Sequence, residues 1–529
     1  MFDYLIRNAM LADGTGTPAV KGDLAVQGAQ IAAIGQLPAA CAAHVIDAQG
    51  MYLTPGFLDI HRHADDAIFR PGFGRAELAQ GLTTIVNGNC GLSLAPVPMA
   101  RRPEIYGYLT PVTGLPAQLL PTQTMQSYLD AVGTLALPLN AGMLVGGGTV
   151  RAAAAGFAPE PLDAAALHEV HRLLEESLSG GALGVSLGLG YAPECFYTTQ
   201  QLIDALAPLH GSGVPITVHM RQEGAGVVEA LEEMMTAARA LQTPVHISHL
   251  KSIGKAYWGR YMPRMLEILT HAREDGLDVS CDLYPYTAGS TQLIHVLPPE
   301  SQDGGLAALT KNLRKPAFRA RMRERMLTGT DFENLSLLVG WENIDVSTVT
   351  KEENRRFVGR NIAQIAQAEG FDPFDFTFDL LASEDCTVTM IDRITSDADI
   401  CAALRVPFSS VISDATYPTS GLLHPRVYGN CTHLIEQYVL KQHVLTLEQA
   451  VRKLTGLPAQ VLGLRTKGRL AVGMDADLCL FDPQALHETA TWQSPAQLSA
   501  GMRHVFVGGV PAIWEGQFTD AANGRVLRR

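Results

Sequence analysis

A chain of 529 residues that is 47% hydrophobic and 18% charged has the make-up of a large globular protein, with length for roughly two to four domains. Its formal net charge of −13 excludes nucleic acid and anionic membrane surfaces as natural partners, because neither is attracted to it. No stretch approaches the roughly eighteen uninterrupted apolar residues of a membrane span, the start MFDYLIRNAMLADGTG lacks the regions of a secretory signal, and the eight cysteines lack CxxC spacing, so the chain reads as a reduced, cytoplasmic protein.

Residues 1–53 alternate apolar and polar positions between glycine turns (YLIRNAMLADG, GDLAVQGAQIAAIG, HVIDAQG), which predicts short antiparallel strands. TPGFLDIHRH (54–63) then begins a series of apolar or β-branched runs that end in polar residues. The others are TTIVNGNC (83–90), NAGMLVGGG (140–148), GALGVSLGLG (181–190), PITVHMR (215–221), PVHISHLKS (244–252), DVSCDLYPY (278–286) and PFSSVISDA (407–415). Amphipathic stretches such as 162–178 and 227–241 lie between them, and strands alternating with helices imply a parallel sheet. Eight such strands close a (β/α)8 TIM barrel, an α/β fold whose active site sits at the C-terminal strand ends. The segment from about 287 to 405 is too long for one strand-to-helix connection and carries the charged helical run FRARMRERM (318–326), which predicts an inserted lid or subdomain over the mouth. Residues 466–529 (GRLAVGMDADLCLFDP, MRHVFVGGVPAIWEG) resemble the first segment, so the two termini are expected to form one small β-sandwich domain beside a barrel of residues 54–465.

The polar residues at the strand ends carry the chemistry. In His61-Arg62-His63 the two imidazoles stand at i and i+2, a spacing that turns both to one side of a strand. His219 and His249 close the fifth and sixth runs, where an unpaired imidazole is costly to bury. Each alone is read more simply as a satisfied core histidine; four at the same ends of three strands, which barrel closure brings together, point to a metal. Asp414, in VISDA, is either the N-cap of a following helix or a carboxylate aimed at the same cation. Imidazole with carboxylate favours zinc or a similar first-row metal, and Cys90, a small buried hydrophobe when taken alone, becomes a sixth candidate ligand as a soft thiolate.

TPGFLDIHRHAD, Asp414 and GRLAVGMDADLCLFDP resemble the amidohydrolase superfamily of metal-dependent hydrolases. QGLTTIVNGNCGLSLAP (80–96), GALGVSLGLGYAP (181–193), HMRQEG (219–224), HISHLKSIGKAYWG (246–259), DLYPYTAGST (282–291) and HPRVYGN (424–430) are similar to the N-acyl-D-amino-acid deacylase (D-aminoacylase) branch. The resemblance implies a zinc ion held by Cys90, His219 and His249, with His61, His63 and Asp414 around a second, weaker metal position. It implies Asp414 as the catalytic acid–base, and a small-molecule substrate bearing a carboxylate that Arg426, Tyr284, Ser290, Tyr191 and Lys251 help to bind. Three features depart from the family pattern: Arg62 between the histidines, Gly147 where a histidine is common, and NCTHLIEQ after HPRVYG. A cyclic-amide hydrolase of the dihydroorotase or hydantoinase type is the alternative enzyme, but it normally uses a carboxylated lysine, and Cys90 weighs against it. A non-catalytic scaffold is the alternative of another class, and a full ligand set weighs against that. The oligomeric state, with a homo-oligomer as one outcome, is left open.

Overall fold

The computed structural model describes residues 1–114 and 119–529. The chain opens with β1 (Phe2–Leu11), β2 (Val20–Gln27), β3 (Gln30–Gly35), β4 (Ala42–Asp47) and β5 (Tyr52–Pro55). It then enters the barrel with β6 (Phe57–Asp59), β7 (Leu82–Asn87), β8 (Asn140–Met143) and its short continuation β9 (Val145–Gly146). Next come β10 (Val185–Gly188), β11 (Ile216–His219), β12 (Val245–Ile247) and β13 (Val279–Leu283). All six residues of β7 are buried, as befits a strand covered on both faces, which is why these runs read as continuous apolar stretches rather than alternating ones.

After β13 the insertion builds a separate antiparallel sheet from β14 (Ala288–Gln292), β15 (Ile344–Thr348) and β16 (Thr389–Arg393), with β16 in the centre. The charged run 318–326 falls in the helix Pro316–Thr328, and the helix Ile362–Glu369 packs against β15. The chain returns to the barrel as β17 (Ser409–Val411). Parallel pairing runs β6–β7–β8 and β9–β10–β11–β12–β13–β17, and a parallel bridge between Arg62 and Ala415 joins the first strand to the last. The circuit therefore closes with the expected eight strands.

The last strands are β18 (Leu478–Phe481), β19 (Met502–Val507), β20 (Val510–Trp514) and β21 (Gln517–Phe518). β18 pairs with β5, placing Leu478 opposite Pro55, so strands from both ends of the chain share one nine-stranded sheet. That sheet has its own core, including Ile6, Leu24, Ile31, Leu480 and Phe506. The final residues leave it: Arg525 O accepts from Ala141 N (3.0 Å) and Leu527 N donates to Ala141 O (2.7 Å), so the tail runs along β8. The Asn140 side chain fixes this path by accepting from Arg525 N at 3.1 Å. No helix among the described residues is long and apolar enough to cross a membrane.

Candidate metal centre

The strand ends bring the sequence-predicted ligands together. One group is His61, His63, Cys90 and Asp414; the other is Cys90, His219 and His249, and within each group the ligand atoms lie within 4.8 Å of one another. Cys90 belongs to both. Its Sγ is 3.2 Å from His61 Nε2 and 3.5 Å from His249 Nε2. Asp414 Oδ1 is 3.2 Å from His63 Nε2 and 3.4 Å from His61 Nε2, and His219 Nδ1 is 2.9 Å from His249 Nε2. No helix follows Asp414 directly, so its carboxylate does not serve as an N-cap.

Backbone strain aims these donors. Cys90, His249 and Asp414 are three non-glycine residues at positive φ (53°, 38° and 51°), a conformation that costs about 1–3 kcal/mol each and persists where the surroundings over-determine it. Gly88 makes the turn before Cys90 possible: at φ +78°, a Cβ there would lie 2.2 Å from Leu144 O.

Burial alone would push the Cys90 thiol up, but the His61 and His249 imidazoles outweigh it and hold the group well below the ordinary thiol range. Burial would likewise raise Asp414, yet Arg426 and hydrogen bonds from His61 and His63 hold it well below the usual carboxylate range. Two anionic donors, the Cys90 thiolate buried and Asp414 only partly so, are thus balanced by the imidazoles around them. A divalent cation makes the same balance while leaving the imidazoles neutral and ligating, so the donor set fits a metal, and thiolate with imidazole fits zinc.

A second layer that sequence reasoning missed orients the ligands. Glu223 Oε1 accepts from His249 Nδ1 at 2.9 Å, which leaves Nε2 for the centre. Asp282 accepts from the His249 backbone N–H and from His246 Nε2 (2.9 Å), and its Oδ2 lies 3.7 Å from His61 Nδ1. The signal for Glu223 was its place in HMRQEG, four residues after His219; Asp282 was visible only as a polar strand end.

The cluster floors a pocket that is walled by strand ends and by the insertion. Tyr191, Lys251, Tyr284 and Ser290 line it. Tyr191 packs on His219 with ring centroids 4.3 Å apart. Lys251 is not a free cation: its Nζ donates to both Glu223 oxygens (2.8 and 2.9 Å), a partner 28 residues away that no local pattern announced. Arg426 is fully buried behind the wall, over the Tyr284 ring at 4.4 Å, with Nη2 3.1 Å from Asp414 Oδ2. Its Nε and Nη1 have no partner.

Arg62 has a simple account. The histidines alternate with it along the strand, so it faces away from the centre and pairs with Asp59 (3.1 Å), Glu77 (2.8 Å) and Tyr417 Oη (3.0 Å). The departure at this position leaves the ligands untouched.

A closed parallel barrel with a buried thiolate, four imidazoles and a carboxylate at its C-terminal rim defines the class of barrel metallohydrolases. The sequence profile of the amidohydrolase family spans residues 44–513, and the chain belongs to that family. Over its whole length (100%) it is 34% identical to the D-aminoacylase of Alcaligenes xylosoxydans xylosoxydans, covering 98% of that protein. It is 32% identical to the N-acyl-D-aspartate deacylase of the same organism, across 99% of this chain and 95% of the other. Among solved structures, the N-acyl-D-glutamate deacylase of Bordetella bronchiseptica, complexed with zinc and a phosphonate mimic of the tetrahedral intermediate, matches with a TM-score of 0.84 at 30% identity and covers 100% of both chains.

Proposed function

We propose that this protein is a zinc-dependent hydrolase of N-acyl-D-amino acids that releases a carboxylate and a free D-amino acid. The observation that carries the reading is Cys90, a thiolate shared by both ligand groups. A cyclic-amide hydrolase normally relies on a carboxylated lysine, and β10 (Val185–Gly188) offers none. Cys90, His219 and His249 would hold one zinc ion tightly, and His61, His63 and Asp414 would surround a second, weaker position. When bound there, zinc supplies Lewis-acid polarisation of the scissile carbonyl and lowers the pKa of water towards about 7.

The remaining steps fall to the chain's own groups. Asp414 Oδ1 faces the centre and is held as an anion, ready to take the proton of the attacking water. It then gives that proton to the leaving amine. The Tyr284 hydroxyl and Ser290 on the pocket wall suit the α-carboxylate of the substrate, and Arg426, buried behind Tyr284 and paired with Asp414, would add its positive charge from there. Tyr191 covers His219, and Lys251 keeps Glu223 ionised so that His249 stays oriented. All eight cysteines are free thiols, which supports a cytoplasmic setting.

A panel of N-acetyl and N-formyl D- and L-amino acids, assayed for free amine beside cyclic imides, tests the reading. Amine release from D-substrates and none from their L-forms is expected. Turnover of the cyclic imides with no release from any D-amide would overturn it.

A further inference from the structure

Gly147 departs from the family pattern, and the reason for it lies in Glu194, in the turn after β10 and 1% exposed. Burying a carboxyl is costly, and a paired cation normally offsets the cost. Here none is paired: Arg151, the cation that acts on Glu194 across space, gives its Nη1 and Nη2 to the Ala158 and Glu160 carbonyls (3.4 and 3.2 Å). The Glu194 carboxyl is instead spent on backbone. Its Oε2 accepts from Gly188 N at 2.7 Å. A Cβ on Gly91 would lie 2.1 Å from Oε2, and one on Gly147 would lie 2.4 Å from Oε1.

The carboxyl therefore fills the space between the Cys90–Gly91 turn, the start of helix Gly147–Ala155 and the end of β10. The other sides of that turn are fastened by hydrogen bonds: Gly91 N donates to Ser186 Oγ at 3.1 Å, and Gly91 O accepts from Thr149 N at 3.0 Å. Cys90 itself stands at φ 53°, a conformation that persists only where its surroundings hold it. Glu194 is the side chain that closes the remaining side.

We propose that Glu194 is a positioning residue of the metal centre, that it holds the Cys90 turn so that Sγ is aimed at the histidines, and that Gly147 is its matched partner. This rests on the reading of Cys90 as a zinc ligand. Glu194→Ala is expected to weaken zinc affinity by about tenfold or more, measured by chelator competition. With cobalt in place of zinc, the same variant is expected to lose intensity in the thiolate-to-metal charge-transfer absorption. Glu194→Gln keeps the shape and an acceptor oxygen, and it is expected to restore both. Gly147→Ala places a Cβ against Oε1, so it is expected to weaken zinc binding in the parent and to cost nothing further in the Glu194→Ala background.

A folded Glu194→Ala variant that binds zinc as tightly as the parent overturns the assignment. Additive losses from Gly147→Ala and Glu194→Ala overturn the matched pair. Should Glu194→Ala fail to fold, Glu194→Asp, one methylene shorter, carries the same test, and unchanged zinc affinity in it overturns the assignment equally. A parent protein that binds no zinc overturns the reading of Cys90 beneath it.

The departure NCTHLIEQ (430–437) is matched by a distant stretch in the same way. His433 Nδ1 pairs with Glu488 Oε2 at 2.5 Å, Thr432 Oγ1 with Ser499 Oγ at 2.7 Å, and Glu436 Oε2 accepts from Glu488 N at 3.0 Å. Residues 488–499 lie between β18 and β19, so a loop of the nine-stranded sheet straps down the helix Arg426–His433 and its continuation. Glu488 also reaches towards the pocket. Its Oε1 accepts from Tyr286 Oη at 2.6 Å, and the Tyr286 ring stacks on His433 with centroids 4.2 Å apart. One carboxylate thus ties the stretch that carries Tyr284 and Ser290 to the helix that begins with Arg426.

We infer that Glu488 is a positioning residue for the substrate side of the site, an inference that rests on the deacylase reading. Glu488→Ala is expected to raise KM for an N-acetyl-D-amino acid by about tenfold, with kcat within about threefold of the parent. Glu488→Gln keeps an acceptor for Tyr286 and turns an N–H towards His433, and it is expected to restore KM. Parent-like KM in a folded Glu488→Ala variant overturns the inference, as does a fall in kcat with KM unchanged. Should that variant fail to fold, His433→Phe keeps the stack on Tyr286, removes the hydrogen bond to Glu488, and is read by the same criteria. A parent that turns over no D-amide overturns the deacylase reading itself.

Discussion

Replacing Cys90 with alanine is expected to remove the tightly bound zinc and lower kcat/KM by about 1,000-fold or more. The thiolate is the only ligand common to the two groups, so its loss leaves His219 with His249 on one side and the His61–His63–Asp414 set on the other. Two imidazoles do not complete a site of three or four donors. The same substitution lets the imidazoles that depress the thiol, those of His61 and His249, relax towards neutral. Zinc per protomer by atomic emission, measured beside turnover, decides the matter. Full zinc content in Cys90→Ala would refute the ligand assignment.

Asp414→Asn separates ligation from proton transfer. The amide keeps the shape of the carboxylate and one oxygen towards His61 and His63, but it cannot take a proton from water. The expected outcome is a fall in kcat of about 100- to 10,000-fold, with the Cys90–His219–His249 zinc retained. A change mainly in KM is not expected, since the group acts on the reacting atoms. The variant also leaves the buried Arg426 guanidinium without its anionic partner, so a loss of stability of about 3–5 kcal/mol accompanies it. Activity is therefore to be measured per folded protomer. A folded Asp414→Asn enzyme with kcat within tenfold of the parent would assign Asp414 to ligation alone.

The legible part of this molecule is the part governed by periodicity. The eight apolar runs, most of them ending in polar residues, correspond to the barrel strands because a parallel sheet covered on both faces selects continuous apolar stretches. The i, i+2 spacing of His61 and His63 carried over directly, and it also explains why Arg62 points the other way. The predicted helices at 162–178 and 227–241 fall on Ala164–Ser179 and Val227–Leu241. Lys251 shows what periodicity leaves out. Its neutralisation by Glu223 comes from two separate strand ends meeting at the rim, and nothing in the local sequence marks the pair. The complementarity of Gly147 and Glu194, 47 residues apart, is of the same kind: the glycine looked like a loss until the carboxylate that occupies its space was in view. The insertion was legible as a segment and not as a sheet, since its three strands β14, β15 and β16 are short and lie far apart in a largely helical stretch of chain.

The most direct test of the central claim is a zinc titration of the chelator-stripped enzyme, with release of D-leucine from N-acetyl-D-leucine followed at each step. The account predicts an inactive stripped protein, activity that rises with the first equivalent of zinc per protomer, and no release from the L-enantiomer at any point. A stripped protein that retains full activity, or a fully zinc-loaded one that releases no D-amino acid, would contradict it.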